Sequence, residues 1–183
     1  MIFVTVGTQL AFDRMIRTVD AWVGKSGAEV FAQIGPGEYT PKHMRWTRTM
    51  PADECATHIR QARAIVAHAG MGSILTALQL GKPIVVMPRR GDLGEHRNDH
   101  QLVTAKHFKE QGRIQVASGE AELGDFLDGI ATLQPSARIS TSASPALIGA
   151  LRNFVRGAAA GAARQVQPIP DSETLPGTAV ARA

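Results

Sequence analysis

The sequence predicts an α/β fold: a Rossmann-like parallel sheet with helices on both faces. Three observations predict it. Short apolar, β-branched runs recur between Met1 and Ala117. Segments with apolar residues at helical spacing lie between them. Glycine or proline punctuates the junctions. Strands alternating with helices demand a parallel sheet covered on both sides, joined by right-handed crossovers.

Each element follows from its residues. Met1 to Val6 is an apolar strand stopped by Gly7. Phe12, Met15, Ile16, Val19, Trp22 and Val23 form the apolar stripe of a helix ended by Gly24 and Gly27. Glu29 to Ile34 is the next strand, closed by Gly35-Pro36-Gly37, and a third short strand lies around Met44 to Thr49. Asp53 to Ala62 is a helix capped by Asp53. Ala64 to Ala67 is a strand, Ser73 to Leu80 a helix ended by Gly81, and Ile84 to Met87 a strand between Pro83 and Pro88. The polar loop Arg89 to Arg97 leads into a helix from about Asn98 to Gln111, with Gly112 as its C′ residue. Arg113 to Ala117 is the last strand. Leu123, Phe126, Leu127 and Ile130 mark a helix after it, and Pro145 to Arg156 marks one more.

The chain of 183 residues is long enough for one self-sufficient core. We expect a ligand-binding domain over residues 1–135, a helical extension over 136–164 and a disordered tail over 165–183. Aromatic residues make up 5%, too few for a platform stacking single-stranded nucleic acid, and the net charge of +4 is scattered. No nucleic-acid partner is expected. Cys55 is the lone cysteine, which excludes an intrachain disulfide and implies a reducing compartment; its apolar surroundings predict a buried structural thiol. A strand beginning at Met1 leaves no room for a signal peptide, and no apolar run approaches a membrane span. Membrane contact is therefore expected to be peripheral or through a partner.

In open α/β sheets ligands bind beyond the carboxyl ends of the strands. Three loops of unusual composition fall there. The first is Gly7-Thr8-Gln9. The second, His68-Ala69-Gly70-Met71-Gly72-Ser73, joins a strand directly to a helix. Its glycines allow close backbone approach, the helix N-terminus offers unpaired N–H groups to an anion, and Ser73 adds a hydroxyl. His68 is placed to donate to a phosphate or to line a sugar pocket. A tight turn without a ligand is the bland reading of this loop. It is neither a Walker A loop nor a GxGxxG fingerprint. The third segment gathers Glu95, His96, Asn98, Asp99, His100 and Gln101. One cap would need one such residue; the surplus suits a ligand rich in hydroxyls. A metal site is the rival, because His96 and His100 lie four apart beside Asp99. A helix starting at Asn98-Asp99 leaves His96 outside it, so no metal is expected. Arg89 and Arg90 border this loop; a solvated edge is the default and a phosphate or acidic-sugar contact the sharper reading.

Val4-Thr5-Val6-Gly7-Thr8, the loop His68 to Ser73, Gly81-Lys82-Pro83-Ile84-Val85-Val86 and Asp99-His100-Gln101 resemble glycosyltransferase family 28 in its C-terminal, donor-binding domain. The likeness covers residues 1–135 and is in particular to single-domain, PssE-like subunits of bacterial exopolysaccharide synthesis and to the cytosolic subunit of the dolichol-linked N-acetylglucosaminyltransferase. It implies the C-terminal half of a GT-B fold and a UDP-sugar as substrate, with no cofactor. Gly70, Met71, Gly72 and Ser73 would bind the diphosphate, with His68 beside them. Asp99, His100 and Gln101 would hold the sugar, with Glu95 and His96 nearby, and Gly7 and Thr8 would face the cleft. Thr76 stands where many relatives carry an acidic residue for the ribose hydroxyls. The reaction would be an inverting transfer to a polyprenyl-linked saccharide. A separate membrane-anchored subunit would carry the acceptor site and the base, holding this chain at the cytoplasmic face of the membrane. The competing expectation is a non-catalytic nucleotide-binding or scaffolding module. The polar segment Glu95 to Gln101, which a scaffold would not need, favours the enzyme.

Overall fold

The computed structural model describes residues 1–135 and 137–165, with side chains through residue 157. Six strands form one parallel sheet: β1 (Ile2–Thr5), β2 (Val30–Gln33), β3 (Arg45–Thr47), β4 (Ala64–His68), β5 (Ile84–Met87) and β6 (Gln115–Val116). Their order is β3-β2-β1-β4-β5-β6. Ile2 pairs with Val30 on one side and Ala64 on the other, so β1 is the centre of the sheet. The helices are α1 (Asp13–Ser26), α2 (Ala52–Gln61), α3 (Met71–Leu80), α4 (His100–Glu110), α5 (Glu120–Asp128) and α6 (Pro145–Gln165).

Alternation along each strand sends successive side chains into two cores. Ile2, Val4 and Val66 pack with Met15, Ile16 and Val19 of α1 and Leu123 and Leu127 of α5. Phe3, Ile65 and Ala67 pack with Ile59 of α2, Ile74 and Leu78 of α3 and Ala105 of α4. Both faces of the sheet are therefore covered, as the strand and helix alternation predicts.

Several boundaries differ from the sequence reading. Gly24 does not end α1; the helix runs to Ser26 and stops at Gly27, which takes the left-handed conformation at φ 64°. Gly24 is small because His43 abuts it: a Cβ there would lie 2.9 Å from the His43 ring. Asp53 does not cap α2. Pro51 occupies the N-cap, and Asp53 sits in the first turn, where it complements the helix dipole. Cys55 is half-buried rather than fully buried, and burial pushes its thiol pKa up.

The chain divides into a unit over Met1–Thr141, which holds the sheet, and a second over Ser142–Ala183, which contains α6. The expected disordered tail lies outside the described residues from 166 onward.

A buried carboxylate fixes the connection between β2 and β3. Asp20 of α1 accepts hydrogen bonds from Tyr39 Oη at 2.7 Å, Lys42 N at 2.9 Å and His43 N at 2.8 Å. Burial opposes its ionisation, but these donors override it and hold its pKa below the ordinary carboxylate value. Asp20→Ala would leave the two backbone donors unpaired and is expected to lower unfolding stability by about 2–4 kcal/mol in urea titrations.

Candidate functional site

The strand order reverses between β1 and β4. The chain leaving β1 turns to α1 on one face, and the chain leaving β4 turns to α3 on the other. A crevice opens between them at the carboxyl ends of the strands. It has two lobes, of about 280 and 310 Å³, which share Gly7, Thr8, Gly72 and Ser73.

The first lobe brings together most of the residues singled out in the sequence. Gly7 and Thr8 come from the β1–α1 loop; His68, Gly70, Gly72 and Ser73 come from the β4–α3 turn. His96, His100 and Gln101 come from the entry to α4. Among the described residues no aspartate or glutamate lines it. Helix α3 begins at Met71, two residues earlier than its sequence suggests, with Gly70 at the N-cap. No side chain caps it. The N–H groups of its first turn thus lack an intrahelical or side-chain partner at the point where the lobes meet. That end carries partial positive charge.

The glycines of this turn serve two different ends. A Cβ on Gly70 would sit 2.1 Å from His68 Nε2, and one on Gly7, at φ 75°, would sit 2.8 Å from His68 Cε1. Both residues are small because the His68 imidazole is wedged between them. Around Gly72 a Cβ would meet nothing within 4 Å. Only Gly72 leaves open space in the crevice.

His68 Nδ1 faces the Thr5 carbonyl at 3.5 Å. Burial first, and then the Arg89 charge, lowers its pKa to about 4. The ring is neutral at physiological pH. With Nδ1–H directed at the carbonyl, Nε2 is an acceptor, suited to a hydroxyl rather than to a phosphate oxygen. His96 is also held below its ordinary value, by burial and then by the neighbouring His100, Arg89 and Arg97. Its ring meets His100 edge-on at 4.5 Å, and its Nδ1 is buried without a hydrogen-bond partner. His96 lies outside α4, as the helix start predicts.

Three residues expected at the ligand do not line the first lobe. Glu95 is held in a fork by Arg14, at 2.6 and 2.8 Å, and accepts the Arg90 N–H at 2.9 Å. It ties the loop to α1 and does not line the first lobe. Asp99 accepts the Gly91 N–H at 2.8 Å, again bracing the loop. The Met71 side chain is exposed and lines neither lobe. Gln101 lines the first lobe, yet its Oε1 accepts the Arg89 N–H at 3.1 Å.

Arg89 departs from the default of its two sequence readings. It is not a solvated edge: it is 3% exposed and lines the first lobe. Its position directly after Pro88, at the carboxyl end of a fully buried strand, was the available signal. Arg90 is at the surface, paired with Asp92 at 2.6 Å. No motif in the sequence marks the second lobe. Met50, Cys55, Ala56 and Ile59 of the α2 side give it an apolar wall, facing Thr5, Gln33 and Thr76. The Thr76 hydroxyl donates to the Gly72 carbonyl at 2.8 Å within α3.

Comparison with known proteins identifies the family of the domain. Residues 1–125 match the glycosyltransferase family 28 C-terminal domain. A human UDP-N-acetylglucosamine transferase subunit ALG13 is 32% identical over 125 residues, which cover 62% of this chain and 10% of that protein. The mouse protein of the same name is 31% identical over 124 residues, covering 61% and 10%. The matched segment spans about a tenth of the length of these relatives. Among solved structures, the glycosyltransferase of kitacinnamycin superposes with a TM-score of 0.54 at 21% identity, covering 91% of this chain and 43% of that one. The solution structure of ALG13 gives 0.52 at 18% identity, covering 73% and 87%. These two likenesses are of fold.

Two stability measurements check the local geometry. Gly70→Ala forces the wedged His68 ring to move and is expected to cost about 1–3 kcal/mol. Gly72→Ala, in open space on a helix, is expected to gain about 0.5–1 kcal/mol. The lowered His68 pKa carries a sign. The unfolded chain binds more protons between about pH 6.5 and pH 4, so stability falls as pH drops through that window. His68→Asn is expected to flatten this decline in urea titrations run from pH 7 to pH 4.

Proposed function

The chain belongs to the glycosyltransferase family 28 C-terminal domain family, and from that premise we propose that it is the donor-binding subunit of a UDP-sugar-dependent glycosyltransferase. One observation carries the reading: the uncapped N-terminus of α3, at Gly72 and Ser73, stands where two lobes of the crevice meet. A nucleotide sugar has a matching layout, with an anionic diphosphate between two uncharged ends. In this reading the diphosphate meets the first turn of α3, and the nucleoside lies in the lobe walled by Met50, Cys55 and Ile59. The sugar lies beside His68, His96, His100 and Gln101. The name of the human and mouse relatives, a UDP-N-acetylglucosamine transferase subunit, supports both the UDP donor and the need for a second component.

The chemistry is displacement at the anomeric carbon with inversion. An acceptor hydroxyl oxygen forms the new bond, the bond from the anomeric carbon to the phosphate oxygen breaks, and the acceptor proton passes to a base. Negative charge grows on the departing UDP, where backbone N–H groups and the helix dipole stabilise it most. His68 is neutral and wedged, and its free nitrogen accepts from a sugar hydroxyl. The base and the acceptor site are assigned to a partner subunit. We place the acceptor among lipid-linked saccharides of exopolysaccharide or glycolipid synthesis, with a hexosyl donor. Among the described residues no helix is long and apolar enough to cross a membrane; the partner would supply the anchor at the cytoplasmic face. The chemistry requires no cofactor.

Gly72→Asp places a carboxylate in the open space of the crevice while favouring the helix through its dipole. It is expected to keep the fold and to weaken UDP binding at least tenfold by calorimetry. Unchanged UDP affinity in a folded Gly72→Asp protein would contradict the assignment.

A further inference from the structure

Arg89 presents an electrostatic problem that the reaction outlined above leaves unused. Its guanidinium is buried, yet its hydrogen bonds go to neutral carbonyls: Nη2 donates to Val6 O at 2.7 Å and Leu10 O at 2.6 Å, and Nε to Ala11 O at 3.3 Å. It also lies over the Phe12 ring, 5.1 Å from its centroid. Glu95 is near enough to favour the charged form, but its oxygens are held by Arg14 and by the Arg90 N–H. Burial lowers the Arg89 pKa to about 10, which still leaves the group charged at neutral pH. A buried charge whose nearest carboxylate is committed to another arginine is costly. Among the described residues, the first lobe, which Arg89 lines, offers no carboxylate to balance it.

The same side chain also organises the crevice. Residues Thr8 to Ala11 are exposed. Their loop nevertheless has three carbonyls, at its start and end, gathered onto one planar fork. Lysine could not match that geometry, because its ammonium lacks the fork. Gln101 at the entry to α4 fixes the Arg89 backbone in turn. The third polar segment is thereby connected to the first loop through this one residue.

We propose that Arg89 is a positioning residue for the anionic donor: it clamps the Val6–Ala11 loop on the rim of the crevice, and its buried charge is balanced by the donor's diphosphate. The proposal rests on the donor-binding reading above. Arg89 does not itself touch the reacting atoms. It fixes the loop and supplies a positive potential that a phosphate feels and an uncharged nucleoside does not.

The test compares UDP with uridine by calorimetry in the wild-type protein, Arg89→Met and Arg89→Lys. In Arg89→Met, UDP affinity is expected to fall at least tenfold while uridine affinity stays within threefold. In Arg89→Lys, which keeps the charge, the ratio of UDP to uridine affinity is expected to stay within threefold of wild type. Amide hydrogen exchange from Gly7 to Phe12 should speed up at least tenfold in Arg89→Lys, because the fork is lost. An unchanged ratio in Arg89→Met, or wild-type loop exchange in Arg89→Lys, overturns the proposal. If Arg89→Met does not fold, Arg89→Gln, which removes the charge but keeps an amide donor for the loop carbonyls, takes its place, and a UDP-to-uridine ratio within threefold of wild type in that variant overturns the proposal. A wild-type protein that binds uridine as tightly as UDP, or neither, would instead overturn the donor reading itself.

Discussion

The reversal of strand order between β1 and β4 is the constraint on which the rest depends. A parallel sheet whose crossovers are all right-handed can reverse only by sending neighbouring connections to opposite faces. β1 leads to α1 and β4 to α3, so their loops part above the sheet edge. Everything of chemical interest follows from that parting. The wedge of His68 between Gly7 and Gly70 spans the two loops at the bottom of the crevice. The first turn of α3 is left without a side-chain cap. β5 sits beside β4, which brings Arg89 at its carboxyl end under the same opening.

The electrostatics of the crevice are one-sided for a reason that runs through its supports. The acidic residues of the surrounding loops are engaged elsewhere: Glu95 with Arg14, Asp99 with the Gly91 amide, Asp92 with Arg90. What remains inside is a helix N-terminus, a buried guanidinium and imidazoles with lowered pKa. Cations lower one another's proton affinity, so Arg89 helps keep His68 and His96 uncharged. The site thus combines fixed positive potential with neutral hydrogen-bonding rings. That combination suits a ligand with one anionic region flanked by hydroxyls, and it would repel a simple cation.

Periodicity and punctuation made the fold legible in the sequence. Apolar runs of four to five residues alternate with helical stripes, and Gly27, Gly81 and Gly112 stop helices where a left-handed residue is needed. The three loops of the crevice were legible too, because the carboxyl ends of parallel strands are where such folds bind ligands. The roles of individual side chains were not. Gly70 reads as a place for close ligand approach, but its smallness accommodates His68, a contact internal to the chain. Glu95 and Asp99 read as ligand donors because they are polar and clustered. Their partners, Arg14 in α1 and the Gly91 backbone, come from other parts of the chain, and a sequence does not display such pairings. Arg89 reads as a surface charge because most arginines are exposed. Its burial depends on three carbonyls of a loop 78 to 83 residues earlier. The apolar lobe at Met50, Cys55 and Ile59 was hidden for the same reason, since it forms only when α2 and α3 come together.

In the proposed function, the crevice at the reversal point receives the diphosphate of a nucleotide at the first turn of α3. Amide chemical-shift mapping of the isotope-labelled chain during titration with UDP tests it most directly. Saturable shifts are expected, largest from Gly70 to Ser73 and from Gly7 to Gln9, with smaller ones at Met50 and Cys55. Shifts clustered at the opposite ends of the strands, around Lys82 and Arg113, or no saturable shift at all, would contradict it.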